Sequence, residues 1–301
     1  MLSQDKVILV TGATGTQGGA VAAALLKKDN RVRIMTRAAS RYTVGAVALE
    51  SAGAEVVIAD LEDMPSLEAA LAGVHGVYSV QGMDNGTDSE RRQINTLVRA
   101  AEKMDVAHIV HASVCQTGNH EQFPGWQEHR WDRKYWMDKH YGEEAVRKSA
   151  IPHWTLLRPA FFMDNFQGAK AAFLFPGLDR EELLTGINTT ARLHLIAADD
   201  IGTFATAAFN NMPLFDRQVI DLAGDMLTIT EIAAGLQAVT GRPVNTMHLS
   251  EAAFVQRGMD PAFANFNEWI NQVGYRVDME RLRQYGLPLT SFRQWLERYM
   301  R

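Results

Sequence analysis

The chain has 301 residues, with 30 Lys+Arg against 35 Asp+Glu, a formal net charge of −5, and 47% hydrophobic residues. This is the composition of a globular chain with a sizeable core, either one large domain or about two ordinary ones. Its acidic lean argues against nucleic acid as a direct partner, which needs a basic face. The single cysteine, Cys115, excludes an internal disulfide framework and a thiolate zinc cluster.

The start, with Asp5 and Lys6 ahead of a short apolar run, does not read as a secretory leader. No stretch approaches the ~18 uninterrupted apolar residues of a membrane span. The expected location is therefore cytoplasmic, away from the membrane.

In chain order, apolar β-rich runs fall at 6–11, 31–36, 54–59, 76–80, 107–112 and 153–158. Helical patterns separate them at 17–28, 43–52, 65–72, 88–104 and 135–149. Strands alternating with helices predict an α/β fold, a doubly wound parallel sheet covered on both faces. Pro65 suits a first helical turn, and Pro152 closes the helix before it. From 160 to 190 the sequence is aromatic and reads as loop. A helix at 199–211, a strand at 217–222 and a capped helix from Thr228, with Glu231 three residues on, follow. Helices at 251–258, 261–273, 278–285 and 290–300 complete a smaller, helix-rich C-terminal lobe. The expected domains are 1–159, with parts of 185–222 returning to it, and a discontinuous lobe over 160–301.

The strongest motif is Thr11-Gly12-Ala13-Thr14-Gly15-Thr16-Gln17-Gly18, after the first strand and opening the first helix. Glycines there permit a tight turn and close backbone approach, and place a pyrophosphate on amide donors at a helix N-terminus. An acid that bonds the NAD ribose is usual about 20 residues past such glycines. Here Arg37 stands 19 residues past Gly18, with Arg41 close behind. A guanidinium at that point attracts a 2′-phosphate, so the expected cofactor is NADP(H). Asp60, ending the third strand, is placed for the adenine edge or for a helix cap.

Tyr135 and Lys139 are four apart on a predicted helix and share a face. Ser113 closes the fifth predicted strand. Reducing a carbonyl needs a proton donor, and an ammonium beside a phenol helps to supply one. The candidate catalytic set is Ser113, Tyr135 and Lys139, with Ser113 orienting a substrate oxygen. His108 and His111 sit three apart in a strand and face opposite ways, and His120, His129 and His140 lack ligand spacing, so no metal site is expected. The long connection His111 to Arg133 reads as a lid. Phe161, Phe162 and Phe166 are either core or a surface for a flat substrate.

The chain resembles the NmrA-like group of the atypical short-chain dehydrogenase/reductases, a Rossmann-fold superfamily. The resemblance rests on Thr11 to Gly18, Thr36-Arg37, Asp60-Leu61, Lys139 ahead of Gly142-Glu143-Glu144-Ala145-Val146, Leu157 to Phe166, and Asp200-Ile201-Gly202. It implies that Gly12, Thr14, Gly15, Thr16, Gln17 and Gly18 hold the pyrophosphate, and Arg37 with Arg41 the 2′-phosphate. Asp60 and Leu61 would flank the adenine, and Lys139 would bond the nicotinamide ribose. Gln81, Pro159 and Phe162 would complete the cofactor site. The implied activity is NADPH-dependent reduction of a small flat or carbonyl-bearing molecule, such as a quinone or aromatic dye. The alternative is a non-catalytic NADP(H)-sensing regulator that binds a protein partner, for which Tyr135 is dispensable. A homodimer is a further option for partner, and isomerase or epimerase chemistry on a sugar nucleotide fits the triplet less well.

Overall fold

The computed structural model describes residues 6–82 and 86–300. The reading of the first residues as no leader thus rests partly on residues 1–5, outside the described ones. Two compact units emerge. One comprises the chain up to Thr117, Lys134–Arg158 and Ala198–Ile220; the other comprises Gly118–Arg133, Pro159–Ala197 and the chain from Asp221.

The first unit is built on a seven-stranded parallel sheet. Its strands are β1 (Val7–Val10), β2 (Arg31–Thr36), β3 (Glu55–Ile58), β4 (Val74–Ser79), β5 (His108–Ala112) and β6 (His153–Pro159), with Gln218–Leu222 beyond β6. The spatial order, from one edge, is β3-β2-β1-β4-β5-β6 and then Gln218–Leu222. That order reverses at β1 and β4, where ligands of open α/β sheets bind at the strands' C-terminal ends. β1 and β5 are buried at every residue, as two-sided cover requires.

Five helices cross between these strands: α1 (Thr16–Leu26), α2 (Val44–Ser51), α3 (Met64–Leu71), α4 (Ser89–Lys103) and α5 (Arg133–Lys148). α4 buries Ile94, Leu97, Val98 and Ala101, a stripe at helical spacing. α3 starts with Asp63 accepting from the Ser66 amide and Pro65 in its first turn. The helix Ala198–Asn210 returns to pack on α1, and Gly202 makes the contact close. A Cβ at Gly202 would fall 2.6 Å from the Ala20 carbonyl oxygen and 3.0 Å from the Ala24 Cβ.

The second unit holds a three-stranded sheet of Asp225–Thr228, Arg192–Ile196 and Phe161–Phe162, and a two-stranded sheet of Asn245–His248 and Glu182–Thr185. Its core is aromatic. Phe166 and Phe175 stack at 4.7 Å, and Phe292 meets Phe166 at 5.3 Å and stacks on Trp295. Thr228 and Glu231 form a reciprocal capping box, and the helix it opens, Ile229–Thr240, ends at Gly241 with a φ of 69°.

The structure departs from the sequence reading in two places. The segment 160–190 is not plain loop: it contains Phe161–Phe162, the helix Gly168–Leu174 and Glu182–Thr185. Within 185–222 the part in the first unit is Ala198–Ile220, while Glu182–Thr185 and Arg192–Ile196 lie in the second unit. The connection Gly118–Arg133 also belongs there rather than with the sheet unit. Arg130 donates to Gln272 and Glu268 at 2.7 and 3.1 Å, Asn265 donates to the Arg130 carbonyl, and Phe123 meets Trp269.

Candidate dinucleotide and active site

The turn after β1 is shaped by two glycines. Gly12 has a φ of 60°, the left-handed region that favours glycine, and its carbonyl accepts from the Gly15 amide at 2.9 Å. Gly18 lets α1 pack onto the turn: a Cβ there would fall 2.4 Å from the Gly12 oxygen and 2.7 Å from the Thr11 oxygen. The Thr11 hydroxyl bonds both the carbonyl and the amide of Val80, each at 2.9 Å, tying the turn to the end of β4. Thr14 and Gly15 are exposed, and Thr16 half-buried. Gly15 is the N-cap of α1, with no side-chain cap and no acid in the first turn. The residues present fit a dinucleotide's pyrophosphate.

Gln17 departs from the expected role. Its side-chain amide donates to the Tyr78 hydroxyl at 2.8 Å, and burial pushes the Tyr78 phenol up. Gln17 therefore props the turn on β4 through its side chain.

At the end of β2, Arg37 is exposed and forms no ion pair among the described residues. Arg41 is otherwise engaged: its guanidinium makes a two-pronged pair with Glu50, at 2.5 and 2.9 Å, and that pairing raises its pKa. The two arginines expected at the 2′-phosphate are thus unequal, and Arg37 is the cation left over. Asp60 accepts from the Glu62 amide at 2.9 Å in a turn of its own, so the cap of α3 falls to Asp63. Leu61 packs half-buried against the sheet core.

Past β4, buried Gln81 donates to the Ser79 hydroxyl at 3.0 Å, and Ser79 bonds His111 Nδ1 on β5 at 3.1 Å. Burial pushes the His111 imidazole down to about 4, with Lys139 adding to the effect and Glu143 opposing it. α5 lies close over this histidine: a Cβ at Gly142 would be 3.0 Å from His111 Nε2.

Tyr135, Lys139 and Glu143 follow at four-residue spacing along one face of α5. Tyr135 is half-buried, edge-on to Trp136 at 5.3 Å, with the Lys139 ammonium 5.5 Å from its ring centre. Lys139 donates to Glu90 at 2.7 Å, both side chains nearly buried at 12% and 8% exposure. An ammonium has three donors, so this pair leaves it others. Around it, Asp138 accepts from Arg91 and from Lys134 at 2.7 Å, which clamps the start of α4 to α5.

Ser113 does not have the expected freedom. Its hydroxyl donates to the fully buried Glu143 at 2.5 Å, and Glu143 is also held by Arg158 and Arg147. A hydroxyl carries one proton, so Ser113 cannot also donate to a substrate oxygen in this arrangement. Pro159 and Phe162 belong to the second unit, where Pro159 is buried and Phe162 is half-buried with the Lys170 ammonium 5.8 Å from its ring. Phe161 and Phe166 are buried core.

Sequence reasoning missed Glu90, Glu143 as a partner, Arg147, Arg158 and the Gln81–Ser79–His111 chain. Glu143 carried a signal, the same four-residue spacing that joins Tyr135 to Lys139. Glu90 carried none. Among the described residues, no three His, Cys, Asp or Glu are grouped to hold a metal ion, and no helix is long and apolar enough to cross a membrane.

A doubly wound sheet with a glycine turn at its first strand and an uncapped helix end above it defines a dinucleotide-binding α/β protein. The chain belongs to the NmrA-like family, whose model matches residues 4–286. It is 29% identical over 258 residues to a (4-alkanoyl-5-oxo-2,5-dihydrofuran-3-yl)methyl phosphate reductase of Streptomyces griseus subsp. griseus, covering 85% of this chain and 79% of that one. It is 28% identical over 266 residues to an NAD(P)H azoreductase of Xenophilus azovorans, covering 86% and 84%. Its fold matches that of the NADPH-dependent quinone oxidoreductase of Escherichia coli complexed with NADPH, with a TM-score of 0.78 at 22% identity over 98% of this chain and 100% of that one.

Proposed function

We propose that the protein is an NADPH-dependent reductase of a small flat or carbonyl-bearing molecule, of the quinone or aromatic-dye kind. The relatives named above support the class. The observation that carries the reading is the pairing of the Gly12–Gly18 cradle with the Tyr135–Lys139 face of α5 in one unit.

The amides at the start of α1 receive a diphosphate, and Arg37 gives the 2′-phosphate its counter-charge. When bound, NADPH supplies a hydride from its nicotinamide. Lys139 keeps donors to spare beyond Glu90 and serves the ribose. Tyr135 is the proton donor for substrates that need one. Quinones and dyes ask less acid catalysis than aldehydes, so the set is suited to them first. A cytoplasmic enzyme accords with this reductant and with a single cysteine.

The test is calorimetric titration with NADPH, followed by NADPH oxidation against quinones, azo and triphenylmethane dyes, and aldehydes. Binding with turnover of a quinone or dye is the expected result. Tight binding with no turnover overturns the enzyme and leaves an NADP(H) sensor, a reading favoured by Ser113 and Lys139 both resting on carboxylates. No binding overturns both.

A further inference from the structure

Ser113 follows β5 at the ligand-binding end of the sheet and retains 8% of its surface exposed. Both of its hydrogens point into the protein. The amide donates to the Leu157 carbonyl at 3.0 Å and the hydroxyl to Glu143 Oε1 at 2.5 Å.

Glu143 is a strong orienting group. It has no exposed surface, and its two oxygens accept from Ser113, from Arg158 through both Nε and Nη2 at 2.7 Å, and from Arg147 at 3.0 Å. A carboxylate fixed by two guanidiniums has no proton to give, so the direction of the Ser113 bond cannot reverse. With that proton committed, lone pairs alone are left to the Ser113 hydroxyl.

We propose that Glu143 is a positioning residue that turns Ser113 into an obligatory hydrogen-bond acceptor, so that the site selects a ligand bearing an N–H or O–H at that point. The proposal rests on the reductase reading and deepens it. It assigns Ser113 to recognition rather than to polarising a carbonyl, and leaves proton donation to the Tyr135–Lys139 side. A bare quinone oxygen meets repulsion at Ser113, whereas an amino or hydroxyl substituent is bound. Two sources can present that donor: a substituent of the substrate, or the carboxamide of the nicotinamide.

The experiment uses the whole chain in wild-type, Ser113→Ala, Ser113→Thr and Glu143→Gln forms. One arm compares KM for an aminonaphthoquinone and its methyl counterpart. The other compares Kd, by fluorescence titration, for NADPH and its acetylpyridine analogue, in which a methyl ketone replaces the carboxamide. Losing one neutral hydrogen bond corresponds to a change of roughly 3- to 10-fold. In at least one arm, wild type is expected to favour the N–H member by that factor relative to Ser113→Ala, with Ser113→Thr restoring it. The arm that responds identifies the source of the donor. Glu143→Gln, where it folds, weakens the preference because its amide no longer fixes the proton. Unchanged preference in both arms of Ser113→Ala overturns the proposal, as does a selective loss toward the methyl quinone, which would mark Ser113 as a donor. A wild type that binds neither nucleotide defeats the functional reading itself, an outcome separable from these.

Discussion

Gly18→Ala is the sharpest test of the cofactor cradle. A Cβ at residue 18 would sit 2.4 Å from the Gly12 oxygen, 2.5 Å from the Gly12 carbonyl carbon and 2.7 Å from the Thr11 oxygen. All three are backbone atoms, so no side-chain rotation relieves the clash. Ordinary contact needs about 1 Å more. The turn cannot simply withdraw, because Thr11 is held by the Val80 amide and carbonyl and by the Tyr78 carbonyl. Alanine in a helix gains up to about 1 kcal/mol over glycine, while overpacking against rigid neighbours costs about 1–3 kcal/mol. The net effect is a loss of about 1 kcal/mol, or about 1–2 °C in Tm. The effect on ligand is larger, because the relieving shift moves the very amides that receive the pyrophosphate. NADPH affinity by calorimetry is expected to fall at least about tenfold. Gly19→Ala is the control: its Cβ would be 3.1 Å from a single carbonyl oxygen, that of Ala13, and it gains the same propensity. It is expected to bind NADPH within about twofold of wild type. A Gly18→Ala protein that binds NADPH as tightly as wild type would refute the cradle.

The other predictions concern the phosphate cation, the proton donor and acid. Arg37→Ser raises the Kd for NADPH about tenfold while sparing NADH, whereas Arg41→Ala does less, because Glu50 already holds that guanidinium; equal losses for both nucleotides would remove Arg37 from the 2′-phosphate. Tyr135→Phe lowers kcat for aldehydes by about 10²- to 10⁴-fold and leaves dyes within a few-fold, measured by NADPH oxidation. Burial, helped by the charges of His153 and His75 and opposed by Asp216, pushes His108 down to about 4, and burial does the same for His111. Both groups stay neutral in the folded chain but protonate near 6.5 once unfolded, so their stabilisation is complete above that pH and is lost as pH falls toward 4. Each is worth on the order of 3 kcal/mol. Urea midpoints are expected to drop steadily across this interval, and less so in His111→Gln; a flat profile would contradict the buried neutral rings.

Local patterns were legible where local physics decides the outcome. β1, β5 and α1–α5 follow from apolar runs and helical periodicity, and the capping box at Thr228 from four consecutive residues. The segment 160–190 was opaque because its strands are short and pair with distant chain. Phe161 pairs with Leu195, and Glu182 with Asn245. No period-two signal develops in a two-residue strand. The connection 118–133 was opaque for a related reason: its anchor, Arg130, finds Glu268 and Gln272 well over a hundred residues later.

The candidate site divides along the same line. Residue type and spacing named Ser113, Tyr135 and Lys139, because a strand end and a helix face are local properties. What those groups can do depends on partners that spacing does not reveal. Lys139 meets Glu90 across 49 positions and Ser113 meets Glu143 across 30. Each contact reverses a naive expectation. A lysine beside a phenol suggests a bare charge acting on the ring, yet here the charge is neutralised by a buried carboxylate within a hydrogen bond's length. A serine at a strand end suggests a donor, yet here the proton is already spent. Removing either carboxylate leaves a buried cation without its partner, which costs far more than a surface pair. Glu90 and Glu143 are therefore bound to the fold as firmly as to the chemistry. Variation in what the site reduces is then expected to arise from the ligand's own hydrogen-bonding groups, and not from altering these two acids.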